Sequence, residues 1–215
     1  IVRNDSIQSL AGIEYFSQLS YLDCESNQLT SLDVQGLSYL QQLYCRGNQI
    51  TDLNVQGLSY LWLLWCGYNQ LTTLDVQSLI NLQKLECSAN QLANLEVQGL
   101  NNLTYLSCGE NQLTTFDAQE LSNLQYLYCA QNQMTQLDVT GLISLISLIC
   151  RDNQLTTLDV LDLSSLQDLY CQGNQLTALN VQGLSNLKKL YSLSNQLTTL
   201  DVQGLNNLHT LNCGF

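Results

Sequence analysis

Residues 40–60 read LQQLYCRGNQITDLNVQGLSY, and residues 61–81 read LWLLWCGYNQLTTLDVQSLIN. Superposed, they agree at the leucines, at one cysteine, at the Asn-Gln pair and at one threonine. Between the first leucines they differ, and the residues that differ include Tyr, Trp, Arg and Gln. A repeat with held and drifting positions separates residues that close a core from residues free to do something else. Leu43 and Cys45 alternate with Gln42, Tyr44 and Arg46. That period of two predicts a strand with one face inward and one outward.

Extended along the chain, the same spacing recurs without insertion or deletion. Leucine returns every 21 residues from Leu19 to Leu208, and a second leucine follows three positions later, from Leu22 to Leu211. Asn-Gln recurs from Asn27 to Asn195 at the same interval. The unit is LxxLxCxxNQLTxLDVQGLxx. Equivalent strands 21 residues apart predict a parallel sheet with rungs about 4.8 Å apart and a solenoid roughly 45 Å long. A single rung cannot bury its own apolar face, so neighbours must share burial and sheet hydrogen bonds. The Asn column predicts side chains turned inward to satisfy backbone groups at the bend. The segment NQLTSLDV predicts a short second strand or extended chain that carries Leu29, Leu32, Val34 and Leu37 into the core. DVQGL predicts the turn that closes the rung at Gly36, Gly57 and Ser78.

This unit resembles the leucine-rich repeat, L-x-x-L-x-L-x-x-N/C-x-L, with cysteine in the third apolar slot and with the short 21-residue period common in bacterial proteins. The resemblance covers residues 19–215. It implies a repeat solenoid with a parallel β-sheet on the concave face, short extended or turn segments on the convex face, and few or no long helices. Residues 1–18 are expected to form an N-terminal capping half-repeat, residues 19–207 nine repeats, and residues 208–215 an incomplete tenth. The stretch LAGIEYF resembles the N-terminal half-repeats of bacterial internalin-like proteins; the likeness carries no receptor role.

Composition narrows the function. The chain has 215 residues, a net charge of -12 and only six Lys and Arg. That argues against nucleic acid and against anionic membrane surfaces as partners. No apolar run of about 18 residues is present, so no spanning segment is expected. The single histidine, His209, has no evident catalytic partner, and no glycine-rich phosphate loop occurs. The expectation is a non-enzyme with no cofactor, no catalytic residues and no metal site.

Three columns invite chemistry and also have plainer uses. All nine cysteines share one column, from Cys24 to Cys213, with Ser192 in the remaining slot. They read as buried free thiols, against a bridge or a metal, because side chains that point the same way bridge poorly and the count is odd. Asp33, Asp75, Glu96, Asp117, Asp138, Asp159 and Asp201 form an acidic column in which Asn54 and Asn180 substitute. Capping of the following bend competes here with calcium; a cap needs only the oxygen. Thr30, Thr51, Thr72, Thr114, Thr135, Thr156, Thr177 and Thr198 form a hydroxyl row broken by Ala93. Bonding to backbone beside the core competes with ice binding.

The drifting columns hold most of the Tyr and Trp. The residues expected to contact a ligand are Tyr21, Tyr44, Arg46, Trp62, Trp65, Lys84, Tyr105, Tyr126, Tyr128, Ile149, Arg151, Tyr170 and Tyr191. Tyr44, Trp62 and Trp65 with Arg46 form one expected cluster. Tyr105, Tyr126, Tyr128, Ile149, Tyr170 and Tyr191 with Arg151 form the other. Such residues are enriched at binding hot spots, and they also stabilise sheets by stacking across strands. The leading expectation is a recognition or adhesion module that binds a protein or a glycan through the concave face, in a secreted or cell-surface bacterial protein. Nine free thiols are out of keeping with that oxidising setting. The alternative is a structural repeat that stacks end to end into filaments through an uncapped C-terminal rung, with ice binding as a further one.

Overall fold

The computed structural model describes residues 1–3 and 6–214. Ten strands of three residues each follow one another: β1 Tyr21–Asp23, β2 Gln42–Tyr44, β3 Leu63–Trp65, β4 Lys84–Glu86, β5 Tyr105–Ser107, β6 Tyr126–Tyr128, β7 Ser147–Ile149, β8 Asp168–Tyr170, β9 Lys189–Tyr191 and β10 Thr210–Asn212. They form one parallel sheet in chain order. The register is that of the sequence period, with Leu43 opposite Leu22 and Leu64. The only helical element among the described residues is a 3-10 turn at Ile13–Tyr15. The fold is the expected solenoid.

Each rung closes around one set of apolar side chains. In residues 40–60, Leu40, Leu43, Cys45, Ile50, Leu53, Val55 and Leu58 are all buried. The backbone ladder continues past each strand: Cys45 N–H donates to Trp65 O at 2.8 Å and Gly47 N–H to Gly67 O at 3.0 Å. The residue before the Asn then turns left-handed. This happens at Ser26, Tyr68, Ala89, Glu110, Gln131, Asp152 and Ser194, with φ between 52° and 56°, as well as at Gly47 and Gly173. The bend points the Asn inward. Asn48 Nδ2 donates to Cys24 O and Cys45 O, both at 3.0 Å, and its Oδ1 accepts the Leu29 N–H at 3.0 Å. The same pattern repeats to Asn195. Each Asn thereby ties its own rung to the preceding one.

On the turn side the segment is extended chain, one of the two expected forms, with one isolated bridge between Asp117 and Asp138 among the described residues. The hydroxyls of the threonine row are exposed and make no hydrogen bond among the described residues, so bonding to backbone is not what they do. A rung that is closed by side-chain caps does not need them. The Asp and Asn members of the acidic column do cap, whereas Glu96 accepts from the Gln77 side chain instead. Asp33 Oδ1 accepts the Gln35 N–H at 2.9 Å, and Asn54 Oδ1 accepts the Gln56 N–H at 3.0 Å. The glutamines of the turn also tie rungs together: Gln56 Nε2 donates to Asp75 Oδ2 at 2.9 Å and Gln119 Nε2 to Asp138 Oδ2 at 2.7 Å. No cluster of three or more metal-ligating side chains occurs among the described residues.

Val2 and Ile7, in the segment before the first strand, bond to that strand's rung. Val2 N–H donates to Asp23 O at 2.8 Å, and Asn27 Oδ1 accepts the Ile7 N–H at 3.1 Å. Residues 4, 5 and 215 of the expected end segments lie outside the described residues. Among the described residues no helix is long and apolar enough to cross a membrane.

Candidate functional site on the strand face

The cysteine column is the most conspicuous chemistry in the sequence. All nine thiols are free, and eight are buried. Burial pushes Cys24, Cys108 and Cys171 up to about 12, and the others in the buried run well above their ordinary value. A thiol that cannot ionise is neither nucleophile nor ligand. The column is core, and Cys24 Sγ spends its weak donor on Tyr44 O at 3.4 Å. Ser192, in the same column, is buried with its hydroxyl unpartnered.

The outward rows carry the side chains that remain. Strand register places Tyr44, Trp65, Glu86 and Ser107 in consecutive positions of one row, with Leu63, Lys84, Tyr105 and Tyr126 in the next. Tyr21, Tyr44 and Trp65 form a chain of ring contacts, 5.5 Å and then 5.2 Å between centres. Tyr105, Tyr126 and Tyr128 form a triangle with centres 5.5–6.4 Å apart. Tyr170 and Tyr191 stack face to face at 4.6 Å. Burial raises the phenol pKa of Tyr44, Tyr105 and Tyr170, so these hydroxyls stay protonated at neutral pH and can donate.

The two clusters expected from the sequence are regrouped. Trp62 makes no ring contact with Tyr44 or Trp65 among the described residues, because it lies one position before the strand, at the sheet's edge. Arg46 sets its guanidinium 4.5 Å from the ring centre of Tyr68, not over Tyr44 or Trp65. The second cluster divides into the Tyr105 triangle and the Tyr170–Tyr191 stack, with Ile149 half-buried in the row between them. Arg151 pairs with Asp152, and Lys189 with Asp168 at 3.5 Å. Several positions of the outward rows are covered rather than open. Asp23, Leu63, Ser107 and Ser147 are buried; the two serines are short beside the tyrosines of adjacent rungs. Asp23 is covered by Arg3, whose guanidinium stands 2.6 Å from Asp23 and 3.3 Å from Glu25.

One hollow of about 300 Å³ opens among these rows, lined by Arg46, Trp65, Tyr68, Glu86, Ser88, Tyr105, Ser107 and Glu110. Sequence reasoning named Arg46, Trp65 and Tyr105 as ligand-facing but passed over Glu86 and Glu110. Glu86 lies back over Gly67. Its Oε2 accepts the Gly67 N–H at 3.2 Å and its Oε1 the Ser88 N–H at 3.1 Å. Burial raises the Glu86 pKa, and the Arg46 charge opposes that rise. Ser88 and Ser107 join hydroxyls at 2.7 Å on the same hollow. The sequence signal for this site was an acid, Glu86, in the central outward row, one rung after the rung that carries Gly67.

Comparison with solved structures places this geometry among known proteins. The chain is similar to the functional domain of InlJ from Listeria monocytogenes, which includes a cysteine ladder, at 32% identity and a TM-score of 0.83 over 99% of this chain and 52% of that one. It is similar to the Leptospira interrogans LRR protein LIC12759 at 26% identity and 0.78, over 97% and 64%. It is similar to the internalin inlF from Listeria monocytogenes str. 4b F2365 at 25% identity and 0.64, over 100% and 79%. The chain thus spans about half the length of the InlJ structure and under two thirds of LIC12759. No protein-family model and no curated protein matches it. By its 21-residue period, its parallel register of equivalent residues from rung to rung and its column of buried thiols, the chain has the repeat and the fold of leucine-rich repeat proteins, with its thiols in a ladder.

Proposed function

We propose that the chain is a protein-recognition module that works through its strand face. The observation that carries this reading is the concentration of exposed or half-buried Tyr, Trp and Arg in the outward rows, where the core makes no demand for them. Large rings with polar tips supply contact area at low entropic cost. Tyr170 and Tyr191 are the exception, since their face-to-face stack is also what sheet stabilisation alone would give. The reading includes a secreted or cell-surface setting, supported by the likeness of the repeat to bacterial internalin-like repeats, and fractionation of the cells that make the chain tests that part.

A photo-crosslinking amino acid at position 128, on the strand face, is compared with one at position 156, on the turn side. The expected result is a protein adduct from position 128 that Trp65→Ala reduces and position 156 does not give. Adducts from position 156 alone would move the binding surface to the turns.

A further inference from the structure

The six carboxylates beside the sheet are not alike. Asp23 and Glu25 share Arg3, Asp152 pairs with Arg151, and Asp168 pairs with Lys189. Glu86 and Glu110 have no ion pair among the described residues, and both line the same hollow. The one cation on that hollow, Arg46, is turned onto the Tyr68 ring and forms no ion pair among the described residues. Lys84, two residues before Glu86 on the same strand, forms none either and does not line the hollow. With two carboxylates and one guanidinium, the hollow carries one net negative charge. Its walls are aromatic, from Trp65, Tyr68 and Tyr105.

Two further features mark it as a built site. The Glu86 carboxylate is anchored by two backbone N–H groups in a space that exists only because residue 67 is glycine; a Cβ there would stand 2.3 Å from Oε1. A half-buried acid fixed in place without an ion pair is costly unless something else supplies one. The indole N–H of Trp65 is also buried without an acceptor. Elsewhere on the same face the chain shows what completes such an arrangement. At Asp23, in the row of Glu86 three rungs back, and at Glu25 beside it, a guanidinium from the chain's own residue 3 lies across both acids.

We propose that the hollow bounded by Trp65, Tyr68 and Tyr105 receives one basic side chain, lysine or arginine, of a protein partner, with Glu86 and Glu110 as its counter-charges. This rests on the strand-face recognition reading and names the chemistry that the face selects. The aromatic walls hold the alkyl stem and favour the cation above their faces. A protein segment also brings main-chain carbonyls, acceptors that a free metal ion lacks. The chain's net charge of -12 draws a basic partner toward it.

The test uses the full 215-residue chain and its two indole N–H signals, from Trp62 and Trp65, assigned with Trp62→Phe. The probes are Nα-acetyl-arginine methylamide, Nα-acetyl-lysine methylamide and, as the neutral shape control, Nα-acetyl-citrulline methylamide. The expected result is a saturable shift of the Trp65 signal with at least one cationic probe at millimolar concentration, with affinity about tenfold or more above that of citrulline. Glu86→Gln is expected to weaken it at least about fivefold. Glu110→Gln, at an exposed position that leaves the core untouched, is expected to weaken it in the same direction. Equal binding of citrulline, undiminished binding by both variants, or no saturable shift with either cationic probe overturns the proposal. A saturable shift with a methyl glycoside and none with the cations overturns it in favour of a sugar. Any of these leaves the position-128 crosslink unaffected, so failure of this site is distinguishable from failure of strand-face recognition.

Discussion

The Glu86 carboxylate occupies the space that a side chain on Gly67 would need: an added Cβ at residue 67 would meet Oε1 at 2.3 Å and Oε2 at 2.5 Å. Gly67 is not in a left-handed conformation, so alanine there meets a steric problem and no backbone one. The obstacle is the end of a flexible side chain, which can swing away. Gly67→Ala is therefore expected to change stability by less than about 1 kcal/mol, while it expels Glu86 toward solvent. Carbon-detected NMR titration should find Glu86 returning from its raised pKa toward the ordinary glutamate value in the variant.

The Asn column makes a stronger demand. Asn111 Oδ1 accepts the Leu92 N–H, and its Nδ2 donates to Cys87 O and Cys108 O, all within 3.1 Å and all buried. Asn111→Ala strands several buried backbone groups at once, at an expected cost of about 2–4 kcal/mol. Ala89 sits one residue before an equivalent Asn with φ of 52°, a conformation glycine adopts without a steric penalty. Ala89→Gly is expected to raise stability by about 0.5–1 kcal/mol. Chemical denaturation of the two variants beside the parent chain checks both signs.

The thiol column should be silent in the folded chain. Eight of the nine cysteines are buried and only Cys213 is partly open, so a colorimetric thiol reagent is expected to count one group before unfolding and nine after. Ser192 is the gap in the column, and its buried hydroxyl has no partner. Ser192→Cys replaces an unmet polar group by one that packs, and is expected to add about 1–2 kcal/mol. A melting temperature that falls in this variant would contradict the assignment of the column to the core.

Acid should act on the turns and the hollow with opposite signs. The Thr140 backbone N–H, with help from the Thr140 side chain and Gln119, holds Asp138 below the usual carboxylate value. Its contribution is present above the unfolded pKa and lost as pH falls through the lowered folded one. Glu86, raised by burial, contributes fully below the ordinary glutamate value and loses that contribution as pH rises through the raised one. Asp138→Asn keeps the capping oxygen, so at neutral pH it is expected to change stability by less than about 0.5 kcal/mol. It should flatten the loss on acidification, whereas Glu86→Gln should flatten the loss toward neutral pH. Melting curves taken between about pH 3 and 7 separate the two.

Much of this was legible in the period alone. Leu43, Cys45, Asn48 and Asp33 could be assigned to core, bend and cap because a column in the sequence is a row in the solenoid. The period also told which residues face outward, since Cβ direction alternates along a strand. It did not tell where the outward side chains end. Arg46 could have lain over Trp65, its neighbour in the next rung, and instead lies over Tyr68. Asp23 and Leu63 stand at outward positions of the strands and are nevertheless covered. Glu86 reaches back 19 residues to Gly67, across rows as well as rungs, and a reading column by column treats rows as independent. Torsions beyond Cβ are set by neighbours on adjacent rungs, and no periodicity encodes them. The free threonine hydroxyls were missed for the related reason that the Asp and Gln side chains had already closed the turn.

The register carries one more consequence. Every tie between rungs, from strand pairing to the Asn bonds and the Gln–Asp bonds of the turns, joins residues about 20 positions apart and reaches no farther than the adjacent rung. Excision or duplication of any 21 consecutive residues therefore leaves every column in phase, while loss of 20 or 22 throws all that follows out of step. Length in this molecule is a free variable counted in whole units, and the spacing between the Trp65 hollow and the Tyr128 triangle can be retuned in steps of about 4.8 Å without redesigning either.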